Sequence, residues 1–222
     1  MLLFDSSVTR LIRLIIIDDH PISRRGLARE LSEQVDLVIQ GAFDNIHDAL
    51  PQMGALKPDV IVLGLSLPIT PMLDCIRQLL VTALDEAISV RIVLYSLSCD
   101  PLLIALAIES GVFGYVDHSQ DMPILVEMIR STSSDNVSIS GRGQMALQDP
   151  LVKGFLQLSR AERDVLLLLL IQGAGNNKIA DERSTAVSTV KKHMSSIFRK
   201  IGVKNRAGAI ALLLKNRFTD PY

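Results

Sequence analysis

Five short apolar segments, each followed by a helical pattern, constrain the fold of the first part of the chain more than any other feature. The apolar segments lie at residues 14–18, 37–43, 59–64, 91–96 and 113–117. The helical patterns lie near residues 21–34, 45–56, 72–84, 100–110 and 121–132. Strands that alternate with helices over short connections pair in parallel, and the helices cover both faces of the sheet. The sequence therefore predicts an α/β unit with a five-stranded parallel sheet.

Polar and small residues stand where these predicted strands end. In parallel α/β sheets, ligands and chemistry gather at the carboxyl ends of the strands. That rule selects Asp18, Asp19, Gly64, Ser96 and the stretch after Val116. Gly64 is the unusual member, because it closes the apolar run DVIVLG, where a glycine marks a close backbone approach or a missing side chain.

The second part of the chain has a different pattern. Residues 131–150 are rich in Ser, Gly and Asp and end in Pro, which is typical of a linker. Residues 151–222 lack a strand pattern and contain four helical segments, and the first of these opens with a capping-box pair, Ser159 and Glu162. We therefore predict a first domain at 1–132, a linker at 133–152 and an all-α four-helix domain at 153–222.

Net charge is distributed unevenly along the chain. Residues 151–222 contain 13 Lys and Arg against 5 Asp and Glu, a net charge of +8, whereas residues 1–150 contain 10 against 19, a net charge of −9. This asymmetry favours two domains with different partners, and a polyanion is the expected partner of the basic one. A chance imbalance between two solvated surfaces is the alternative explanation.

Three features of the sequence limit the classes of protein to which the chain can belong. The longest apolar run, VLLLLLI at 165–171, is far shorter than the roughly 18 residues of a membrane span, so no membrane partner is predicted. Cys75 and Cys99 are the only cysteines, which favours a reducing, cytoplasmic compartment. The sequence contains neither a P-loop nor a Gly-rich dinucleotide turn, so an enzyme is not predicted.

The helix predicted over residues 187–201 has one apolar face and one basic face. Val190, Met194, Ile197 and Ile201 recur at helical spacing and form a buried stripe. The opposite face carries Ser188, Lys191, Lys192, Ser195 and Arg199. Cations neutralise phosphates, and short polar side chains let a helix enter a DNA major groove about 12 Å wide. With the short helix and turn before it, this helix fits a helix-turn-helix, although an ordinary solvated basic face is the alternative.

Residues 158–213 closely resemble the LuxR/GerE-type helix-turn-helix domain. The matching residues are Leu158, Glu162, Arg163, Val165, Leu166, Gly173, Asn177, Lys178, Ile179, Ala180, Thr189, Val190, Lys191, His193, Ile197, Lys200, Val203 and Arg206. The resemblance implies that the helix containing Lys191 is the recognition helix and that the last helix pairs in a homodimer. It also implies that Lys191 contacts double-stranded DNA with Lys192 and Ser195 beside it, and that Lys178 and Thr189 contact phosphates.

This segment departs from the family pattern at its turn. The family usually has Leu where Arg183 stands and an Ile-Ser pair where Thr185 and Ala186 stand. Because the serine of that pair caps the recognition helix, we expect Thr185 or Ser184 to supply the cap from a shifted position.

The first half of the chain resembles the receiver domain of response regulators, and the whole chain resembles the NarL/FixJ type. The matching stretches are Asp18-Asp19-His20-Pro21, Asp59 through Pro68, Ser96, and Gly114-Tyr115. The resemblance implies a flavodoxin-like (βα)₅ fold. It also implies that Asp18 and Asp19 bind Mg²⁺, that Ser96 contacts a phosphoryl group, and that an aspartate after the third strand and a lysine after the fifth complete the site.

The last two residues of that family site are missing from this sequence. Gly64 stands at the position of the phospho-accepting aspartate, and His118 stands at the position of the lysine. Phosphoryl transfer needs an oxygen nucleophile and cations on the phosphoryl oxygens, so we predict a degenerate receiver that is not phosphorylated. Asp18 and Asp19 remain a weak Mg²⁺ candidate, with two acids held by hydrogen bonds as the alternative. A second hypothesis gives His118 a raised pKa, because it would face two carboxylates.

These observations predict a DNA-binding transcriptional regulator that acts as a homodimer. The degenerate receiver would serve dimerisation, or would bind a protein or a small ligand as the signal that replaces phosphorylation. The alternative is an interaction protein that titrates a partner regulator without binding DNA, and the basic residues Lys191, Lys192 and Arg199 argue against it.

Overall fold

The computed structural model describes residues 11–67, 69–97, 101–131, 137–140, 142–146 and 148–217. The chain forms two compact units, Met1–Leu97 with Ala107–Gly141, and Ser98–Leu106 with Arg142–Tyr222. No helix in the described part of the chain has the length and apolar character that crossing a membrane requires. The predicted limits of the domains and of the linker remain predictions.

The first unit contains a parallel sheet of six strands in the order β2-β1-β3-β4-β5-β6. The strands are β1 (Ile12–Ile17), β2 (Leu37–Phe43), β3 (Val60–Leu63), β4 (Arg91–Ser96), β5 (Gly114–Asp117) and β6 (Ser138–Ile139). The first five confirm the strands predicted from the apolar segments. The prediction of a five-stranded sheet was wrong by one strand, because β6 lies in the predicted linker and is too short to show periodicity. It pairs with β5 through Gly114 and Tyr115.

The helices of the first unit follow the predicted alternation. They are α1 (Pro21–Ser32), α2 (Ile46–Ala49), α3 (Met53–Leu56), α4 (Ile69–Asp85) and α6 (Met122–Ser131); α5 (Pro101–Glu109) continues the alternation along the chain, but its residues up to Leu106 group with the second unit. The single helical pattern predicted over 45–56 is instead α2, a 3₁₀ turn at Leu50–Gln52, and α3. Pro51 lies in the first positions of that turn, where a missing backbone N–H is tolerated. In the interior of one continuous helix, the same proline would remove a backbone hydrogen bond.

The core of the first unit explains why its strands are apolar on both faces. Every residue of β3 is completely buried. Alternate strand residues such as Leu14, Val62 and Val93 pack in one cluster with Leu31 of α1 and Ile129 of α6. The residues between them point to the opposite face, as the pleat of a strand requires. The sheet therefore holds its strand ends, with Asp18 and Gly64, at one rigid edge.

The second unit is helical. Its helices are α7 (Arg142–Ala146), α8 (Pro150–Leu156), α9 (Arg160–Gln172), α10 (Asn176–Glu182), α11 (Val187–Lys200) and α12 (Arg206–Arg217). The last four confirm the four helices predicted after the linker, whereas α7 lies within the predicted linker and α8 begins in it and ends beyond it. Gly173 adopts the left-handed conformation after α9, which confirms the predicted end of that helix.

A buried ion pair ties the start of α9 to the end of α11. Ser159 and Glu162 form the predicted capping box, and Lys200 Nζ lies 2.7 Å from Glu162 Oε2. Burial raises the pKa of Glu162, but hydrogen bonds from Lys200, Ser196 and Ser159 outweigh burial and lower it to about 2 from an ordinary 4.5. Glu162 is only 5% exposed, so solvent screens this pair weakly.

We expect the second unit to lose stability in acid through Glu162. A carboxylate with a depressed folded-state pKa contributes stability that is complete above the unfolded pKa of 4.5 and disappears as the pH falls towards 2. The contribution at neutral pH is about 3 kcal/mol. Urea unfolding between neutral pH and about 2 should show this loss in the wild type, and Glu162→Gln should flatten the profile. The control Glu182→Gln, in an exposed pair, should leave the profile unchanged; equal profiles for all three proteins would contradict the expectation.

Candidate functional site

The carboxyl edge of the sheet brings together the residues selected from the ends of the strands. Asp18 and Asp19 directly follow β1, Gly64 directly follows β3, and Ser96 is the last residue of β4. His118 directly follows β5, and its backbone N–H donates a hydrogen bond to the Ser96 carbonyl at 3.1 Å. The five predicted residues of the degenerate pocket therefore converge on one edge, although their roles remain predictions.

Asp18 is completely buried, and all of its polar groups are engaged. The Ser23 hydroxyl donates to Oδ2 at 2.5 Å, and the backbone N–H of His20 donates to Oδ1 at 2.7 Å. The Asp18 carbonyl accepts from Arg24 Nη1 at 2.6 Å, and its N–H donates to the Phe43 carbonyl at 3.0 Å. These contacts fix the carboxylate within the edge of the sheet.

Gly64 lies directly against Asp18. The Gly64 N–H donates to the carbonyl of Ile17 at 2.7 Å, which holds the two chain segments in contact. A Cβ atom added at Gly64 would lie 2.9 Å from Asp18 Oδ2 and 3.2 Å from Asp18 Cγ. These distances are shorter than ordinary van der Waals contacts, so a side chain at this position requires the carboxylate to move.

The exposed carboxylate of Asp19 faces the loop that follows Gly64. Asp19 Oδ1 accepts from the backbone N–H of Ser66 at 3.2 Å and lies 3.1 Å from His20 Nδ1. Asp18, Asp19 and His20 can each direct one ligand atom to a common point, since these atoms lie within 4.8 Å of one another. Oxygen ligands suit Mg²⁺, but both Asp18 oxygens already accept hydrogen bonds. The Mg²⁺ site at Asp18 and Asp19 remains a prediction.

His118 is partly buried and packs against Tyr95. Its ring centroid lies 3.8 Å from that of Tyr95, and its Nε2 atom is buried without a hydrogen-bond partner among the described residues. Burial lowers the pKa of His118, and the nearby carboxylate of Asp18 raises it by less. The hypothesis of a raised pKa was therefore wrong, because the sequence shows the neighbouring charges but does not show the desolvation that outweighs them.

Two residues of this edge, Ser23 and Tyr95, were not found from the sequence, and Asp117 was selected only as part of the stretch after Val116. Ser23 lies in the first turns of α1, Tyr95 precedes Ser96, and Asp117 ends β5 with no exposed surface. Burial raises the pKa of the Tyr95 hydroxyl, and the carboxylates of Asp18 and Asp117 raise it further. Nothing in the sequence marks Ser23.

Helix α11 divides into two faces as the periodicity predicted. Val190, Met194, Ile197 and Ile201 are buried. The opposite face is exposed to solvent along its length, at Ser188, Lys191, Lys192, Ser195 and Arg199. No acidic residue lies in this helix. We call these five exposed residues the basic face of α11.

The predicted phosphate contacts, Lys178 and Thr189, do not line the depression on the basic face. Lys191, Lys192, Ser195 and Arg199 line one shallow depression, together with Ser196. Lys178 lies on α10 and is exposed, with its Nζ 3.8 Å from Glu182 Oε1, a weak ion pair at this distance and exposure. Thr189 is partly buried in the first turn of α11. The DNA-contact roles of these residues remain predictions.

The start of α11 differs from the expectation of a shifted cap. The N-cap residue is Ala186, whose backbone is extended, and no side chain hydrogen-bonds to the helix terminus. Ser184 instead adopts a left-handed conformation with φ 48° in the turn. The expectation that Ser184 or Thr185 caps the helix was therefore wrong. Arg183 is anchored elsewhere, 2.6 Å from Asp164 of α9.

Two protein-family models match the chain. The model described as "Response regulator receiver domain" matches residues 14–130, and the model described as "Bacterial regulatory proteins, luxR family" matches residues 156–213. The receiver match covers β2 to β5, most of β1 and the carboxyl edge of the sheet, and the luxR match covers helices α9 to α11 and most of α12.

Relatives align with this chain over most of its length and most of their own. The chain is 27% identical over 218 residues to the nitrate/nitrite response regulator protein NarL of Escherichia coli, covering 92% of this chain and 95% of that protein. It is 29% identical over 221 residues to the DNA-binding transcriptional activator DevR/DosR of Mycobacterium tuberculosis, covering 95% and 98%. A solved complex of the two-component response regulator RcsB with DNA superposes with a TM-score of 0.60 at 21% identity, covering 92% of this chain and 98% of that one, and shows the same fold.

Proposed function

Because the chain belongs to the response regulators, with a receiver domain followed by a LuxR-family regulatory domain, we propose that it is a sequence-specific DNA-binding transcriptional regulator that does not depend on phosphorylation. The basic face of α11 is the single observation that carries the DNA-binding part of this proposal. The missing nucleophile at Gly64 supports the second part.

The basic face has the chemistry and the shape that a DNA groove requires. Its three cations, Lys191, Lys192 and Arg199, project to solvent without an acidic residue on the same helix to neutralise them. Cations of this kind displace counterions from phosphates, and the small side chains of Ser188 and Ser195 allow close approach to base edges. DevR/DosR is named as a DNA-binding activator, and RcsB has been solved on DNA, which supports the same role for this chain.

A homodimer is part of the proposal. RcsB has been solved as dimers on DNA, and two-fold symmetric regulators read two half-sites about one helical turn, 34–36 Å, apart. The resemblance assigns pairing to the last helix, α12. We therefore propose a two-fold symmetric dimer on a pseudo-palindromic site.

Independence from phosphorylation rests on the carboxyl edge of the sheet. Gly64 has no oxygen that could accept a phosphoryl group. The lowered pKa of His118 leaves its ring neutral at physiological pH, so it does not supply the second cation that phosphoryl charge needs. The receiver would then serve dimerisation or bind a protein or small ligand in the cytoplasm. Mg²⁺ at Asp18 and Asp19 would be an accessory to that role.

The proposal is tested by DNA binding with and without a phosphodonor. Genomic fragments captured by the purified full-length chain supply a labelled duplex for fluorescence anisotropy. We expect the same affinity in the absence and in the presence of acetyl phosphate and Mg²⁺. An affinity that rises with acetyl phosphate would contradict phosphorylation independence, and failure to retain any fragment would favour the interaction-protein alternative.

A further inference from the structure

The volume beside Gly64 is already occupied by another side chain. A Cβ atom at position 64 would meet three atoms of Asp18, namely Oδ2 at 2.9 Å, Cγ at 3.2 Å and Cβ at 3.4 Å. By contrast, a Cβ atom added at Gly26 on α1 would meet nothing within 4 Å. A side chain therefore cannot be added at position 64 without moving Asp18.

Two donors prevent that movement. The Ser23 hydroxyl and the His20 N–H each hold one carboxylate oxygen of Asp18, at 2.5 and 2.7 Å. Hydrogen bonds to a buried carboxylate are short and strong, and breaking one leaves a charge without compensation in a site with no exposed surface. The His20 donor belongs to the backbone and cannot be removed by substitution, so Ser23 is the adjustable part of the contact.

We propose that Ser23 is a positioning residue that holds the Asp18 carboxylate in the volume that a side chain at position 64 would need. Substitutions at Ser23 and Gly64 are then energetically coupled. Together, the two residues exclude a phospho-accepting carboxylate from the pocket. This inference deepens the proposed phosphorylation independence and rests on it. Its consequence is that substitution at position 64 alone does not rebuild an acceptor site.

Electrostatics reinforces the steric argument. A carboxylate introduced at position 64 would share the buried space of Asp18, and Asp117 lies buried at the same edge. Like charges brought this close repel each other, and solvent screens the repulsion weakly in a buried site. Releasing Asp18 from Ser23 lets the two groups separate, so the cost of a side chain at position 64 should depend on Ser23.

A double-mutant cycle on the full-length chain tests the coupling. We expect Gly64→Ala to lower the Tm of the first unit by about 5 °C, and by less than half as much in the Ser23→Ala background. Equal losses in both backgrounds would overturn the proposal. If Gly64→Ala alone does not fold, the double variant must regain a cooperative transition, and its failure to do so would also overturn the proposal.

Two matched variants control this cycle. Ser32→Ala removes an exposed α1 hydroxyl that hydrogen-bonds to the Ala28 carbonyl, so Gly64→Ala should cost the same in that background as in the wild type. Gly26→Ala adds a methyl group in open space on the same helix and should not lower the Tm.

A chemical readout separates positioning from general stability. In a His118→Lys background, Gly64→Asp and Gly64→Asp with Ser23→Ala are incubated with acetyl phosphate and Mg²⁺. The introduced carboxylate oxygen forms a bond to phosphorus while acetate leaves with its electron pair, and intact mass reports the acyl phosphate. We expect more label in the Ser23→Ala protein. Equal label, including none in either protein, would overturn the proposal, whereas the proposed function is tested separately by DNA binding of the wild type.

Discussion

Replacing Lys191 and Lys192 together by alanine should lower affinity for a specific DNA site by about 100-fold. Both side chains are exposed on the basic face of α11, and neither has an acidic neighbour on that helix. Each lysine that neutralises a phosphate releases a counterion, so the slope of log affinity against log salt should also become shallower by about 2. Fluorescence anisotropy over a salt series measures both quantities.

The matched control for this prediction is Lys153→Ala. Lys153 is an exposed cation on α8 of the same unit, so the variant changes the charge without touching α11. It should keep the affinity and the salt slope of the wild type. Circular dichroism should show unchanged helix content in all variants. If the α11 variant binds like the wild type, or if Lys153→Ala is equally weakened, the basic face is not the DNA-contacting surface.

Gly154→Ala should destabilise the second unit by about 3 kcal/mol, at the upper end of the cost of overpacking a core. Gly154 is on α8, and an added Cβ atom would lie against the carbonyl oxygen of Lys200 and 2.8 Å from Ile201 Cα, at the end of α11. Both neighbours are backbone atoms, which cannot rotate away as a side chain can. Alanine is more favourable than glycine in a helix by roughly 1 kcal/mol. The steric overlap exceeds this gain, so the substitution as a whole is expected to be destabilising.

Urea unfolding of the full-length chain measures this effect, and Gly208→Ala is its control. A Cβ atom at Gly208 on α12 would meet its nearest atom, Val203 Cβ, at 3.4 Å, an ordinary contact. That variant should be as stable as the wild type or more stable. Gly154→Ala should also weaken DNA binding, because it displaces the end of the helix that carries the basic face. Wild-type stability of Gly154→Ala would refute the predicted contact between α8 and α11.

The accuracy of the sequence predictions depended on the length of each element. Five strands and four C-terminal helices were predicted from apolar periodicity, which is visible once an element spans several residues. The two-residue strand β6 and the five-residue helix α7 carry no such signal, so both fell within the predicted linker. Gly154 could not be selected from the sequence either. The backbone atoms that an added Cβ would meet belong to Lys200 and Ile201, more than 40 residues away along the chain.

The candidate site shows a similar division. Asp18, Asp19, Gly64, Ser96 and His118 could be selected from the sequence, because parallel strands bring their carboxyl ends to one edge. The sequence could not show that burial lowers the pKa of His118, because desolvation depends on packing from distant segments. The missing N-cap hydrogen bond at Ala186 likewise depended on the backbone conformation of the turn.

Local periodicity and charge were sufficient to predict the order of the elements, the edge of the sheet where the polar residues meet and the basic face of α11. These properties follow from spacing along the chain. Packing of α1 against the sheet established what fills the space beside Gly64, since it places Ser23 against Asp18 and Asp18 against the glycine. The contact between Gly64, directly after β3, and Asp18, directly after β1, depends on proximity in three dimensions. Asp18 occupies the volume that a side chain at position 64 would need, which is the physical reason for a glycine there.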